Sequence, residues 1–182
     1  MKNVDLSLYK NSLSLKNQIL RMFWRISWCI ISFLFPRKSF NFIKILLLKL
    51  FGANIHFDSI VYSDVKIFMP WNLEMKEFSC LGPKVDCYNV AKIKIGANTT
   101  ISQKTTLCSA SHDITKINNP LITSPITIED QVWVASEAFI GPGVKIGQGS
   151  VVGARSCVFK DIYPWTVVGG NPSKLIKNRI IQ

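Results

Sequence analysis

The chain has two histidines, His56 and His112, and only His112 sits where a pattern is interrupted. It lies in Ser111-His112-Asp113, where a regular aliphatic repeat breaks off into the irregular stretch 113–125. An imidazole titrates near neutrality, so a histidine held at such a break can take the proton of a hydroxyl as that hydroxyl attacks. Loops carried on rigid scaffolding are where chemistry concentrates. Residue type and position alone leave a purely structural histidine as the alternative. His56 has no comparable setting and reads as structural or exposed. The five cysteines, Cys29, Cys80, Cys87, Cys108 and Cys157, are odd in number and form no CxxC pair. A disulfide framework is therefore disfavoured, a reducing cytoplasm suits them, and a Cys/His zinc site has no supporting spacing. Two histidines also exclude a metal centre of three imidazoles from one chain. Cys108, four residues before His112 but inside a repeat, is expected to be a buried and inert thiol rather than a nucleophile.

A base at His112 needs something rigid behind it, and from residue 55 onward the chain counts in sixes. The clearest register runs Ile128, Val134, Ile140, Ile146, Val152, Val158. Four residues after each of the first five stand Val132, Ala138, Val144, Ser150 and Ser156, and Gly141, Gly147 and Gly153 directly follow three of the aliphatic positions. The same period appears earlier at Ile95, Ile101 and Leu107, with Thr99 and Thr105 in the small position. It continues upstream, less regularly, through Met75, Leu81 and Cys87 and through Ile55, Val61 and Ile67. A period of six is neither helical nor the alternation of a strand. It describes one short strand and one turn, repeated so that the aliphatic residue always points inward. Three such units close a triangular coil of about eighteen residues, and stacked coils bury a continuous aliphatic ladder. The small residues and glycines hold the same register, which chance in an aliphatic sequence would not produce. The fold class is an all-β core, a parallel β-helix of hexapeptide repeats over 53–168. A helical segment over 1–52 precedes it and a C-terminal tail over 169–182 follows it.

The positive charge is concentrated in that first segment. Residues 1–50 carry nine basic side chains and one acidic one, whereas the remaining residues carry thirteen and ten. Between 14 and 35 the polar residues Ser14, Asn17, Gln18, Arg21, Arg25 and Ser32 recur at helical spacing. They leave an apolar surface of Met22, Phe23, Ile26, Ile30, Ile31 and Phe33. Pro36 is expected to end this helix. A second run, 40–51, has Lys44 and Lys49 on its polar side and stops at Gly52. With Trp24 and Trp28 near their edges, basic amphipathic helices suit an anionic membrane surface, giving a possible contact through residues 14–51. Packing of the pair on the rest of the fold or on a sister subunit is the other reading. The apolar run 22–35 is shorter than the roughly 20 residues of a membrane span and contains Arg25. No nucleic-acid-binding motif accompanies the charge, so nucleic acid is not an expected partner.

Several stretches resemble a known family. Ile140-Gly141-Pro142-Gly143-Val144-Lys145-Ile146-Gly147 looks like the signature of hexapeptide-repeat, left-handed β-helix acyltransferases, and Val168-Gly169-Gly170-Asn171-Pro172-Ser173-Lys174 resembles their closing motif. Ser111-His112-Asp113, Pro125-Ile126-Thr127-Ile128 and Val132-Trp133-Val134 are similar to the catalytic region of the maltose and galactoside O-acetyltransferase branch. Leu50-Phe51-Gly52-Ala53, Pro70-Trp71-Asn72-Leu73 and Ile101-Ser102-Gln103 narrow the likeness to colanic-acid-type acetyltransferases of exopolysaccharide gene clusters. The left-handed winding comes from the resemblance, since parallel crossovers ordinarily favour the right hand.

The resemblance implies a fold, a reaction and a set of residues. The reaction is direct acetyl transfer from acetyl-CoA to a sugar hydroxyl in exopolysaccharide, capsule or O-antigen assembly, with His112 as general base and no metal required. Ser136 and Ala154, eighteen residues apart on one coil edge, match positions that meet the pantetheine arm. Lys174 and Lys177 match basic positions that meet the nucleotide phosphates, in a tail that closes the coenzyme site. Phe159 stands where related sequences often carry Thr, and a ring stacked on adenine could replace that contact. Asn89 and Trp133 match positions on the acceptor side, the acceptor being a sugar or a lipid-linked oligosaccharide. A homotrimer with shared sites is implied; with the cytoplasm that suits the cysteines, the N-terminal helices could hold it at the inner face of the cytoplasmic membrane. The alternatives are an N-acetyltransferase on an amino sugar and a non-catalytic β-helix scaffold.

Overall fold

The computed structural model describes residues 3–35 and 40–182; Pro36, expected to end the first helix, lies outside them. From residue 54 the chain winds as a three-sided parallel coil. One face stacks Asn54–Ile55, Leu73–Met75, Ile93–Ile95, Ile126–Ile128 and Lys145–Ile146, and a bridge from Ile146 to Ile162 adds a sixth level. A second face stacks Ile60–Val61, Cys80–Leu81, Thr100–Ile101, Trp133–Val134, Val151–Val152 and Thr166–Gly169. The third stacks Lys66–Ile67, Asp86–Tyr88, Thr106–Cys108, Phe139–Ile140 and Cys157–Val158. Strands this short cannot stand alone, and each is held by the levels above and below it.

The register is the one the hexads predict. Ile55, Met75, Ile95, Ile128 and Ile146 face one another up the first face, and Val61, Leu81, Ile101, Val134 and Val152 do so up the second. All of these are buried, and each such aliphatic side chain contributes roughly 1.5–3 kcal/mol relative to exposure. The small positions are buried too, and their hydroxyls close the turns. Thr99 Oγ1 donates to the Glu129 carbonyl at 2.8 Å, Thr105 Oγ1 to Ala135 at 3.0 Å and Ser150 Oγ to Tyr163 at 2.7 Å. Many turns pass through the left-handed region, as at Gly149, where φ is +68° and an added Cβ would lie 2.6 Å from the Trp165 ring.

Coil length is uneven, and the excess is confined to one corner. Ile55, Met75 and Ile95 are 20 residues apart, Ile95 and Ile128 are 33 apart, and Ile128 and Ile146 are 18 apart. The extra residues all fall between the third face and the first, in 68–72, 89–92 and 109–125.

Two helices cover the start of the coil. Helix α1 (Leu15–Leu34) begins at Ser14, whose hydroxyl accepts from the Asn17 N–H, and helix α2 (Asn41–Leu50) ends one residue before Phe51, with Gly52 at φ +86° beyond it. Ile45 and Leu48 of α2 join the core of the first coil. Trp24 and Trp28 do not sit at a membrane-facing edge. Both are buried, their indole N–H groups donating to the Ile67 and Val65 carbonyls at 2.7 and 3.0 Å. Lys44 likewise departs from expectation, since it is 1% exposed. Its Nζ donates to Ser63 Oγ at 3.2 Å, and burial pushes its pKa down. What stays uncovered on α1 is the apolar surface itself, Met22, Phe23, Ile26, Ile30 and Phe33.

Candidate active site

His112 is carried by the longest of the corner excursions. Only part of 113–125 is irregular: Ala110–His112 pairs antiparallel with Leu121–Thr123, with His112 opposite Leu121. The hairpin brings the tip 113–120 back under the ring, and His112 Nδ1 lies 2.7 Å from the Asn119 carbonyl oxygen. A carbonyl can only accept, so this contact assigns the proton to Nδ1 and leaves the lone pair on Nε2 of an exposed imidazole. Asn119 reaches this position in a left-handed conformation, φ +39°, with its N–H donating to the Lys116 carbonyl. Asp113, the sequence neighbour, faces away from the imidazole. Its Oδ1 accepts from the Thr115 N–H and hydroxyl at 3.1 and 2.6 Å, and Lys116 lies 3.6 Å from its other oxygen. These bonds hold its carboxyl below the usual carboxylate range, the Thr115 hydroxyl contributing most. The N-terminal stretch passes over the same loop. The Asp5 N–H donates to the Ile117 carbonyl at 2.8 Å, and the Tyr9 ring lies 6.0 Å from that of His112.

The residues matched to coenzyme positions form a column on another corner, between the second and third faces. Ser136 and Ala154 stack on successive coils, with the Arg155 N–H donating to the Ser136 carbonyl at 2.9 Å. The Gly153 N–H bonds to the Val168 carbonyl, and the terminal strand Lys174–Asn178 folds back antiparallel on Thr166–Gly169, setting Lys174 beside Gly169 and Lys177 beside Val167. Both lysines are exposed. Phe159 is exposed, with its ring 5.7 Å from Phe139. Trp133 is half-exposed on the second face, its indole N–H on Ser102 Oγ at 3.0 Å.

Two expectations change. Asn89 is 0% exposed and presents nothing to a sugar. Its Oδ1 accepts from the Phe68 and Met69 N–H groups at 3.1 and 2.9 Å, and its Nδ2 donates to the Met69 carbonyl at 2.6 Å. The amide is consumed in holding the 68–72 corner against the coil above it. Cys108 is half-buried rather than buried, its Sγ 3.2 Å from the Ala110 carbonyl oxygen. His56 is exposed beside Asp58, 3.4 Å away. Among the described residues, no group of three or more His, Cys, Asp and Glu side chains could hold a metal ion.

One chain does not bring the base and the matched coenzyme column together. Ser136 and Gly141 lie before and after the strand Phe139–Ile140 of the third face, a span of up to about 17 Å for five extended residues. His112 projects from the far end of that face.

Stacked hexads on three faces, with an exposed histidine of fixed tautomer on a corner excursion, define a parallel β-helix of the hexapeptide-repeat class. Over 134 residues, 74% of this chain and 74% of the relative, the sequence is 42% identical to the protein named colanic acid biosynthesis acetyltransferase WcaF of Escherichia coli K12. It is 35% identical over 130 residues to galactoside O-acetyltransferase of the same organism, covering 70% of this chain and 55% of that one. The solved hexapeptide-repeat acetyltransferase VCA0836 of Vibrio cholerae, complexed with acetyl coenzyme A, superposes with a TM-score of 0.81 at 26% identity, covering 94% of this chain and 93% of that one. No family model matches the chain. The chain belongs to the hexapeptide-repeat acetyltransferases, enzymes built on a left-handed parallel β-helix. Membership in an enzyme family sets the scaffold reading aside.

Proposed function

We propose that this enzyme transfers the acetyl group of acetyl-CoA directly to a sugar hydroxyl in exopolysaccharide, capsule or O-antigen assembly, with His112 as general base. The observation that carries the reading is the 2.7 Å contact of His112 Nδ1 with the Asn119 carbonyl, which leaves Nε2 free at the surface. In this scheme Nε2 takes the hydroxyl proton, the oxygen attacks the thioester carbonyl, and the carbon–sulfur bond breaks. The imidazolium, steadied through Nδ1–H by Asn119, returns the proton to the departing thiolate, so free coenzyme A and a sugar ester are the products. The small residues Ser136 and Ala154 would receive the pantetheine arm, Lys174 and Lys177 the phosphates, and Trp133 the acceptor side. The names and bound ligand of the relatives support this chemistry.

The working form is a homotrimer in the cytoplasm, in which the histidine corner of one subunit meets the coenzyme edge of the next; the two corners' separation within one chain favours it. No described helix is long and apolar enough to cross a membrane. The uncovered face of α1 and the charge of the first fifty residues favour peripheral contact at the inner face of the cytoplasmic membrane.

Thiol release from acetyl-CoA by wild type and His112→Ala, over a panel of sugars, amino sugars and lipid-linked glycans, tests the reading. Turnover with a hydroxyl acceptor, reduced about 10²-fold or more in the variant, is expected. Equal turnover by both proteins would overturn the role of His112, and turnover confined to amines would overturn O-transfer.

A further inference from the structure

A groove of about 560 Å³ runs along α1. Its polar lining is Asn11, Gln18, Arg21 and Arg25, and its apolar lining includes Met22, Ile26 and Ile30. Arg21 and Arg25 are one helical turn apart, and among the described residues neither forms an ion pair with a carboxylate. The Arg21 guanidinium lies 3.4 Å from the centroid of the Phe68 ring, and its Nε is buried without a hydrogen-bond partner. Burial pushes the Arg21 pKa down; Tyr88 offsets part of this and the neighbouring Arg25 charge adds to it, so an anion between the two arginines would relieve a cost the fold now carries.

A chain of aromatic contacts links the groove to the base. Phe68 packs edge-on against Tyr88 with the ring centres 4.6 Å apart, at the corner from which the His112 hairpin leaves. Tyr9, whose ring faces His112 at 6.0 Å, is two residues from Asn11 of the groove wall, a backbone reach of at most about 7 Å. An acceptor that has its hydroxyl at His112 Nε2 and extends along the Tyr9 side would bring its neighbouring groups toward the two arginines. A planar guanidinium pair matches phosphate oxygens in fixed fork geometry.

We infer that Arg21 and Arg25 bind a phosphate or diphosphate attached to the acceptor sugar, so that the enzyme acts on a phosphate-linked sugar and not on a free glycan. The phosphate could be carried by a nucleotide or by a lipid. In the second case the Met22, Ile26 and Ile30 wall continues from the phosphate site along the lipid chain. The inference rests on the acetyl-transfer reading for its substrate, but its binding step does not.

The test has two parts. Inorganic pyrophosphate is titrated calorimetrically into the full-length protein with the coenzyme site saturated by coenzyme A, so that Lys174 and Lys177 are occupied. Binding is expected for wild type and equally for His112→Ala, weakened about 10- to 100-fold by Arg25→Gln and by Arg21→Gln, as expected for loss of a charge-assisted contact. Arg25 is exposed, so Arg25→Gln reads the site even if Arg21→Gln disturbs the packing on Phe68. Acetylation is then compared for the free sugar, the nucleotide-diphosphate sugar and the polyprenyl-diphosphate sugar. Arg25→Gln should raise the acceptor KM for one of the phosphate-linked forms with kcat nearly unchanged, and which form responds identifies the carrier. Pyrophosphate binding unaltered by both substitutions, or no binding at millimolar concentration, would overturn the inference. So would equal kcat/KM for free and phosphate-linked sugars, or an arginine effect seen only in adsorption to phosphatidylglycerol vesicles. A failed acetylation assay with intact, arginine-dependent pyrophosphate binding would count against the acetyl-transfer reading alone.

Discussion

At the residue scale, the histidine corner separates two roles that sequence adjacency would merge. Asp113 stands next to His112, yet its carboxylate closes the turn on Thr115, and the imidazole is oriented by a main-chain carbonyl six residues further on from Asp113. If Asp113 only shapes the loop, Asp113→Asn keeps an oxygen for Thr115 and should retain activity within about threefold. Loss of a carboxylate that orients the imidazole and stabilises the imidazolium would instead cost orders of magnitude, as in acid–base triads. Steady-state kinetics of the single variant checks this. The pH consequence follows from the direction of the shift. The folded pKa is depressed, so the contribution of Asp113 to loop order is fully present above the ordinary aspartate value of about 3.9 and is lost only as pH falls through the lower folded value. An inflection of rate near neutrality therefore cannot come from Asp113. Asn89 carries the second residue-level prediction. Replacing it with Ala leaves the Met69 N–H without a partner at a buried corner, since the Phe68 N–H still donates to the Cys87 carbonyl and the Met69 carbonyl still accepts from the Asn72 N–H, at a cost of roughly 1–3 kcal/mol for the one unsatisfied group. Asn89→Ala should lower the denaturation midpoint markedly in chemical unfolding. A stable variant with a raised acceptor KM would restore Asn89 to the acceptor side. His112 was legible because it breaks a repeat; Asn119 was not, because an orienting carbonyl is common to every residue type.

At the scale of elements, the hexads were legible because the constraint is imposed on side chains. An inward position every sixth residue selects apolar groups, mostly aliphatic, and the buried turn position selects mostly small ones, so both leave a mark in the sequence. The two-residue surplus in the early coils left a weaker mark, since it shifts the register without changing the inward residue type. Helix α1 was misread in one respect. Trp24 and Trp28 look interfacial by composition, but each indole N–H finds a carbonyl of the first coil, at Ile67 or Val65, and the rings are drawn inward. The membrane argument therefore rests on the opposite side of α1. Phe23 and Ile26 are each 54% exposed there, so changing both to Ser removes apolar surface without opening the core. The double variant should keep the wild-type unfolding midpoint and lose most of its binding to anionic vesicles in a sedimentation assay, with Arg25 left in place. Unchanged sedimentation would favour burial of this face by another subunit.

At the scale of the whole molecule, the third face separates the His112 corner from the column of Ser136, Ala154 and Lys174. A thioester seated along that column lies against the base of its own chain only by crossing the width of the face. A closed ring of three copies removes the difficulty, because each coenzyme edge then abuts the histidine corner of the next subunit, and a heterologous contact repeated three times closes on itself. Complementation distinguishes the two arrangements. His112→Ala removes the base but leaves the edge intact, whereas Ala154→Trp fills an exposed edge position and leaves the base intact. Each variant alone should be inactive. Co-expressed with different affinity tags and purified through both, they should recover activity. A site is intact when its base comes from the subunit carrying Ala154→Trp and its edge from the subunit carrying His112→Ala. A ring holding both kinds of subunit contains one such junction among its three, so recovery of about a third of wild-type activity is expected. If base and edge belonged to one chain, no mixture could assemble an intact site, and the doubly tagged material would stay as inactive as its components.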